Sequence, residues 1–340
     1  CDERVPRSVS GAQPTTEKDA RSLADKAPVP ARVASHFFGT AGWTDPTLLA
    51  CASFYPPTAR TPADRLAHYA SHFPIVEVDS TYYAIPSPTV ARAWADRTPP
   101  DFLFHIKAHP VFTGHPIDRG KLPKDLRASI AHLRPDHLRL YPRDVPNEVR
   151  EELGRRFCSA LDPLREAGKL GVVMVQLPPW ITATRGAARQ IEDLAQRLPD
   201  VRVAVEFRHP SWLEPARRER VFELLERNGL AFVCVDEPNV RGGGVPPLLR
   251  ATRSDIAILR FHGHNVGGWR KGATVLERFD YVYAPEELRP WVAGLRRLAD
   301  SSGQVHAVFN NCVRDFAVIN AKGLAALVQL SFSPQFSPGA

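Results

Sequence analysis

Cysteine is scarce in this chain of 340 residues, which has only five, at positions 1, 51, 158, 234 and 312. No two of them have the close spacing of a zinc site or a redox motif, so the cysteines indicate neither kind of site. A sparse, odd-numbered set of cysteines is typical of a reducing compartment, and the sequence therefore predicts a cytoplasmic location. The chain begins with Cys1 rather than Met, which indicates either a fragment or a processed product.

Three further patterns are missing. No apolar stretch approaches the roughly 18 to 20 residues that span a bilayer, so no membrane span is expected. No run of Lys or Arg is longer than two, although the formal net charge is +7. Scattered basic residues favour a solvated surface that could attract anionic ligands, including nucleic acid. No Gly-x-Gly-x-x-Gly motif follows an early strand, which removes the usual support for a dinucleotide-binding fold.

Short apolar, β-branched runs alternate with helix-patterned stretches along most of the chain. This alternation is typical of βαβ units with a parallel sheet, and eight such units indicate a closed (β/α)8 TIM-type barrel in a single domain. The predicted strands are Phe37–Trp43, Ile75–Tyr82, Phe102–Lys107, Val172–Leu177, Val201–Arg208, Ala231–Asp236, Ile256–His262 and Val305–Asn311.

The stretches between these strands predict helices, and the ends of the chain predict tails. The helical stretches are Pro62–Phe73, Glu148–Ala167, Arg185–Leu198, Glu219–Asn228 and Pro285–Ala299. Pro163 is expected to kink or divide the second of these. Residues 1–35 are expected to form a disordered tail, 36–330 the barrel and 331–340 a second tail. The stretch 108–147, rich in Pro and His, is interpreted as a large loop with one helical pattern near 125–133.

Polar side chains gather where the predicted strands end, which is where barrels of this type hold their active sites. Alternation along each strand sets the polar residues on one face and the apolar ones on the other, so the polar set should face the barrel axis. Buried charges at this density are costly unless they are paired or bound to a ligand. A salt-bridge network that merely closes the barrel is the structural alternative. The sequence favours a ligand or reaction site.

Roles follow from the chemistry of each group. Glu77 and Glu206 are the candidate acid/base pair, His262 a proton-transfer group near neutral pH, and Lys107 a catalytic cation. Arg208 and Arg260 would bind negative charge. Gln176 and Asn310 would orient the substrate. The remaining candidates for substrate binding are Trp43, Asp79, Tyr82, His209, Asp236 and Asn311.

The leading hypothesis is an enzyme, such as a hydrolase or isomerase, for a small polar or anionic ligand that is sugar-like or phosphorylated. Glu206, Asp236, Glu77 and His262 could instead form an oxygen- and nitrogen-rich site for a divalent metal, although no tight His spacing supports one. Two alternatives come from other classes of protein. One is nucleic-acid binding or processing, suggested by the basic balance and by aromatics after several strands. The other is metabolite binding without chemistry.

Several motifs along the chain resemble the YecE-like proteins, a family known as domain of unknown function 72. The resemblance covers about residues 38–330. Its landmarks include Gly39-Thr40-Ala41-Gly42-Trp43, Val76-Glu77-Val78-Asp79-Ser80-Thr81-Tyr82-Tyr83, Phe104-His105-Ile106-Lys107-Ala108, Gln176-Leu177-Pro178-Pro179, Glu206-Phe207-Arg208-His209-Pro210-Ser211-Trp212, Val235-Asp236-Glu237-Pro238, Arg260-Phe261-His262-Gly263 and Phe309-Asn310-Asn311-Cys312. The resemblance implies a TIM barrel and a cytoplasmic bacterial protein, but it supplies no activity.

Overall fold

The computed structural model describes residues 17–133, 135–238, 240, 244–270 and 272–333. Its strands are β1 (Arg32–Val33), β2 (His36–Ala41), β3 (Ile75–Val78), β4 (Leu103–Lys107), β5 (Ile117–Asp118), β6 (Arg139–Leu140), β7 (Leu170–Gln176), β8 (Arg202–Glu206), β9 (Ala231–Asp236), β10 (Ala257–Phe261) and β11 (Val305–Phe309).

The helices between and after the strands are α1 (Glu17–Ala24), α2 (Pro46–Cys51), α3 (Pro62–His72), α4 (Ser80–Tyr83), α5 (Pro88–Asp96), α6 (Pro110–Thr113), α7 (Lys124–Ser129), α8 (Asn147–Glu166), α9 (Arg185–Glu192), α10 (Leu194–Arg197), α11 (Arg218–Arg227), α12 (Val275–Phe279), α13 (Pro285–Leu288), α14 (Trp291–Ser301) and α15 (Phe316–Ser331). Short 3₁₀ helices cover Arg119–Lys121, Pro142–Asp144, Pro210–Trp212 and Val266–Trp269. None of the described helices is both long and apolar enough to cross a bilayer.

The main sheet confirms the predicted fold class. Its strand order is β1-β2-β11-β10-β9-β8-β7-β4-β3, and β2 is paired with β3 as well. β1 is antiparallel to β2, whereas β2, β3, β4 and β7 to β11 run parallel wherever their pairing register is given. Eight parallel strands connected through helices and closed in this way form a (β/α)8 barrel.

Contacts divide the chain into two compact units, residues 1–77 with 231–340 and residues 78–230. The first unit holds β1, β2, β3, β9, β10 and β11. The second holds β4, β7 and β8, together with the antiparallel pair β5–β6. The parallel strands are almost wholly buried, with residues such as Phe38, Val173 and Ile258 at 0% exposure. Such continuous burial is expected where helices cover a parallel sheet.

Local sequence signals set the helix boundaries. The Thr61 hydroxyl accepts from the Asp64 amide at 3.1 Å, and the Asp64 carboxylate accepts from the Thr61 amide at 2.9 Å. This capping box starts α3 at Pro62, as the sequence predicts. At the far end of α11, Gly229 has φ +63°, a conformation that favours glycine after a helix. Helix α8 runs through Pro163 without dividing.

Three stretches differ from the predicted elements. The strand predicted over 75–82 ends at Val78, because Asp79 turns into helical backbone ahead of α4 and takes Tyr82 out of the sheet. Residues 17–35, placed by sequence in a tail, contain α1 and β1. Ala20 and Ala24 of α1 pack against Phe316 of α15. The loop 108–147 contains α6, α7 and the β5–β6 pair. Residues 1–16, which include Cys1, and residues 334–340 lie outside the described residues, as do the tail predictions for them.

Candidate functional site

A buried ion pair joins two predicted site residues of the first unit. Arg260 Nη2 donates to Glu77 Oε1 at 2.6 Å, and both side chains are 0% exposed. β3 and β10 carry them, with Glu77 beside Ala41 of β2 and Arg260 beside Val308 of β11. An ion pair removed from water in this way is costly to break. This pair is what the salt-bridge alternative predicts for Glu77 and Arg260, and an acid/base role for Glu77 stays a prediction.

His262 follows the same strand and is held by Asn310, which follows β11. The two side chains meet through Asn310 Nδ2 and His262 Nδ1, 3.0 Å apart, and both are buried. An amide nitrogen can only donate, so Nδ1 accepts and the proton of neutral His262 sits on Nε2. The His262 backbone amide donates to the Asp236 carbonyl at 2.8 Å. Its ring faces Phe279, with the centroids 6.1 Å apart.

Asp236, at the end of β9, accepts two side-chain contacts. The Tyr283 hydroxyl donates to Asp236 Oδ2 at 2.7 Å, and His264 Nε2 lies 3.0 Å from the same oxygen. Burial first, and then the Asp236 charge, raise the pKa of Tyr283 well above its ordinary value, which keeps this phenol protonated. The Gly263 amide donates to the Tyr283 hydroxyl at 2.9 Å. His264 is the accessible member of this group, with 37% of its side chain exposed.

Two other predicted residues of the first unit have clear structural partners. Asn311 Nδ2 donates at 2.8 Å both to the Tyr281 carbonyl and to Asn320 Oδ1, which ties the loop before α13 to α15. The carbonyl of Trp43, after β2, accepts a hydrogen bond from the Tyr55 hydroxyl. These contacts hold loops in place, and substrate binding by Asn311 or Trp43 stays a prediction.

In the second unit, an ion pair also occupies the end of β8. Arg208 Nη1 donates to Glu206 Oε1 at 3.1 Å, with the Glu206 side chain 0% and the Arg208 side chain 9% exposed. Gln176, the last residue of β7, lies opposite Glu206 in the strand register and is partly exposed. The acid/base pair suggested by the sequence thus consists of two glutamates in different units, each bound to an arginine.

A second charged pair of this unit borders an aromatic group. Lys107 Nζ lies 2.9 Å from Asp79 Oδ1, and it lies 5.7 Å from the centre of the Tyr82 ring. The ring of His115 is 5.4 Å from that of Tyr82 and 5.6 Å from that of Trp180. Trp180 is 53% exposed, so this group offers an accessible flat surface beside a cation.

His209, which follows Arg208, caps the next 3₁₀ helix. Its Nδ1 lies 2.8 Å from the Ser211 hydroxyl and accepts from the Ser211 amide at 3.2 Å. Trp212 is 1% exposed, and its indole nitrogen donates to the Ile181 carbonyl at 2.8 Å. The contacts of His209 and Trp212 therefore stabilise the loops here, and a role for His209 in substrate binding stays a prediction.

Three residues of these groups were not selected from the sequence. His264 continues the alternation of Arg260 and His262, and this spacing could have identified it. His115 lies in the Pro- and His-rich stretch after β4, for which the sequence predicted a loop and no site residue. Nothing local marks Tyr283, because its importance comes from the contact with Asp236, 47 residues away along the chain.

The predicted divalent metal site gains no support from this geometry. Within the described ranges, no group of three or more His, Cys, Asp or Glu side chains is arranged to hold a metal ion. The Glu77 and Glu206 carboxylates each accept a hydrogen bond from an arginine, and a bound divalent metal stays a prediction.

Two histidines of the second unit make stability depend on pH. Burial lowers the pKa of His109 from 6.5 to about 4; burial and the charges of Lys107 and Arg208 lower that of His115 to about 4. The unfolded chain therefore binds more protons between pH 6.5 and 4, and folded stability falls as the pH falls through that window. For the buried His109 we expect a loss on the order of 2 kcal/mol between pH 7.5 and pH 5.

Urea denaturation at pH 7.5 and pH 5 measures this effect. The variant His109→Asn removes the titrating group and retains an acceptor for the Val111 amide, which His109 Nδ1 accepts at 3.3 Å. Its stability should change less with pH than that of the unmodified protein. The exposed His132→Asn provides the matched control. An identical pH dependence in all three proteins would refute the assignment.

Comparison with known proteins places these residues in a family context. Residues 37–339 match the profile described as "Protein of unknown function DUF72". The chain is 31% identical over 301 residues to UPF0759 protein YunF of Bacillus subtilis (strain 168), covering 87% of this chain and 96% of that protein. It is 27% identical over 187 residues to UPF0759 protein YecE of Escherichia coli (strain K12), covering 54% of this chain and 56% of that protein.

Solved structures give the same result. A crystal structure of a DUF72 family protein from Enterococcus faecalis V583 aligns with a TM-score of 0.70 at 23% identity, covering 88% of this chain and 97% of that one. A DUF72 family protein from Thermotoga maritima MSB8 aligns with a TM-score of 0.67 at 30% identity, covering 86% and 99%. The first likeness supports the barrel fold alone, and neither structure's description specifies a ligand or a reaction.

Proposed function

The chain belongs to the DUF72 family of proteins of unknown function, and from that premise we propose that it is an enzyme acting on a small polar substrate by acid/base chemistry. The substrate class is sugar-like or phosphorylated, and the reaction a hydrolysis or isomerisation. The proposed reaction centre lies in the first unit, where β9 and β10 end. The accessible His264, held by the buried Asp236, is the observation that carries the proposal.

The contacts of Asp236 suit His264 for proton transfer. With Nε2 donating to the Asp236 carboxylate, Nδ1 of the neutral ring is the basic atom. It lies 3.8 Å from Glu287 Oε1 and can take a proton from a substrate bound beside that carboxylate. Asp236 would stabilise the imidazolium that forms, and Tyr283 holds the carboxylate in position. Histidine is the side chain best suited to this exchange near neutral pH. His262 lies two residues away and provides a second imidazole, oriented by Asn310.

A panel of phosphate esters, glycosides and sugar phosphates, assayed with the unmodified protein and with His264→Gln, tests this proposal. We expect turnover of at least one class, with a loss of about 10²-fold or more in the variant. Exposed His132→Gln is the matched control and should retain full turnover. Glu206→Gln tests the other carboxylate, and equal activity would remove Glu206 from the mechanism. Tight binding without turnover would instead identify a metabolite-binding protein and overturn the enzyme proposal.

Nucleic-acid binding is the second candidate, and one observation in the second unit favours it. The exposed Trp180 ring lies against His115, near Tyr82 and the Lys107 cation. Such a surface could stack a base beside a phosphate. Retention on single-stranded RNA and DNA should then fall steeply with salt and should weaken in Trp180→Ala. Absence of retention at low salt would count against this candidate.

A further inference from the structure

A cleft in the second unit, lined by none of the predicted site residues, has a volume of about 400 Å³. Four stretches line it: α6 and the residue after it, the 3₁₀ helix Pro142–Asp144, the amino-terminal half of α8, and the α9–α10 segment. Among the lining residues are Phe112, Asn147, Arg150, Glu151, Asp193 and Arg197. The volume falls within the range of about 300–1,000 Å³ typical of small-molecule sites.

Arg197 is held at the cleft by neutral groups. Its Nη2 donates to the Val111 carbonyl at 2.9 Å, and its guanidinium carbon lies 5.0 Å from the centre of the Phe112 ring. These contacts fix the position of the guanidinium group without neutralising its charge. A guanidinium has five N–H donors, so most of them stay available to an acceptor in the cleft.

Arg150 is a second cation of the same cleft. It donates to Asn147 Oδ1, a neutral acceptor, and its Nε is buried with no hydrogen-bond partner among the described residues. Neither Arg150 nor Arg197 forms an ion pair with a carboxylate in the part of the chain that the structure covers. The acidic groups that also line the cleft, Glu151 and Asp193, are exposed.

The two guanidinium groups act on each other. Burial, and then the charge of Arg150, lower the pKa of Arg197, while the charge of the exposed Asp193 carboxylate partly opposes this change. Arg155, in the same helix as Arg150, instead forms an ion pair with a carboxylate: its Nη2 lies 2.5 Å from Glu152 Oε2. Like charges that line one cleft repel, and an anion bound between them would remove that cost.

We propose that this cleft binds the phosphate group of a small molecule through the guanidinium groups of Arg150 and Arg197. The planar, forked guanidinium matches phosphate oxygens in pairs, which a point cation does not. The cleft also contains Asn147, the first residue of the 20-residue helix α8, whose N-cap, Pro146, makes no side-chain cap. The amide groups in the first turn of α8 add a partial positive charge suited to the same anion. This site is independent of the reaction proposed for His264.

Calorimetric titration with inorganic phosphate, at constant ionic strength set by chloride, tests the assignment. We expect one site per chain in the unmodified protein and at least tenfold weaker binding in Arg150→Gln, because a hydrogen bond between charged groups is lost. Arg197→Gln should weaken binding similarly. Arg155→Gln, which removes a cation of the same cleft that is paired with Glu152, is the matched control and should bind as the unmodified protein does.

Titration with glycerol phosphate and with citrate distinguishes a phosphate ester from a carboxylate as the ligand. Saturable binding of glycerol phosphate at least as tight as that of phosphate, lost in Arg150→Gln, supports a phosphate ester as ligand. Citrate binding that is tighter than that of both phosphates would overturn the phosphate assignment. Absence of phosphate binding, or equal binding in all variants with an unchanged circular dichroism spectrum, would overturn the site itself.

Discussion

Replacement of Arg260 by Met is expected to lower the free energy of unfolding by about 3–5 kcal/mol. Arg260 and Glu77 form an ion pair at 2.6 Å in which neither side chain is exposed. Loss of the guanidinium leaves the Glu77 carboxylate buried without that cation, and burial strongly penalises such a charge. Urea denaturation followed by circular dichroism measures the difference.

Two further variants give this prediction its controls. The double variant Glu77→Gln, Arg260→Met removes both charges and should recover part of the lost stability, because paired removal leaves no uncompensated ion. Arg253→Met breaks the partly exposed pair with Asp255, in which the side chains are 26% and 36% exposed. That pair should be worth at most about 1 kcal/mol. If Arg260→Met cost no more than Arg253→Met, the buried pair would have no special role in stability.

Replacement of Asp236 by Asn is expected to lower turnover by about 10²–10⁴-fold on the substrate class that the activity panel identifies. The amide has no charge to stabilise an imidazolium on His264, although its oxygen can still accept a hydrogen bond from Nε2. The fold should persist, because the Tyr283 hydroxyl can still donate to the amide oxygen. Steady-state turnover measured across pH 5–9, with circular dichroism to confirm folding, tests this.

Tyr283→Phe separates positioning from proton transfer. It removes the hydrogen bond to Asp236 and leaves both the carboxylate and His264 in place. We expect a smaller loss, about tenfold, together with a changed pH profile, because the freed carboxylate would hold the imidazole less firmly. Full turnover in Asp236→Asn would exclude the His264–Asp236 pair from the chemistry. In that case the pair would be a structural contact.

Much of the fold could be predicted because its signals are local. Eight of the strands were identified with boundaries mostly within two residues, and the capping box at Thr61 fixed the start of α3. The period of apolar residues and the chemistry of caps depend only on neighbours along the chain. The second strand was drawn too long because Ser80–Tyr83 carries β-forming residues, whereas Asp79 has already turned into helical backbone.

Sequence by itself determined the barrel class and the polar residues that stand at the ends of its strands. Only the tertiary structure decided their partners. Glu77 and Arg260 are 183 residues apart, and Tyr283 meets Asp236 across 47 residues. Helix α1 is stabilised by α15, at the other end of the chain. Composition and periodicity do not specify which distant groups share a hydrogen bond. Those pairs form only when packing buries polar groups, because a buried polar group needs a hydrogen-bond partner.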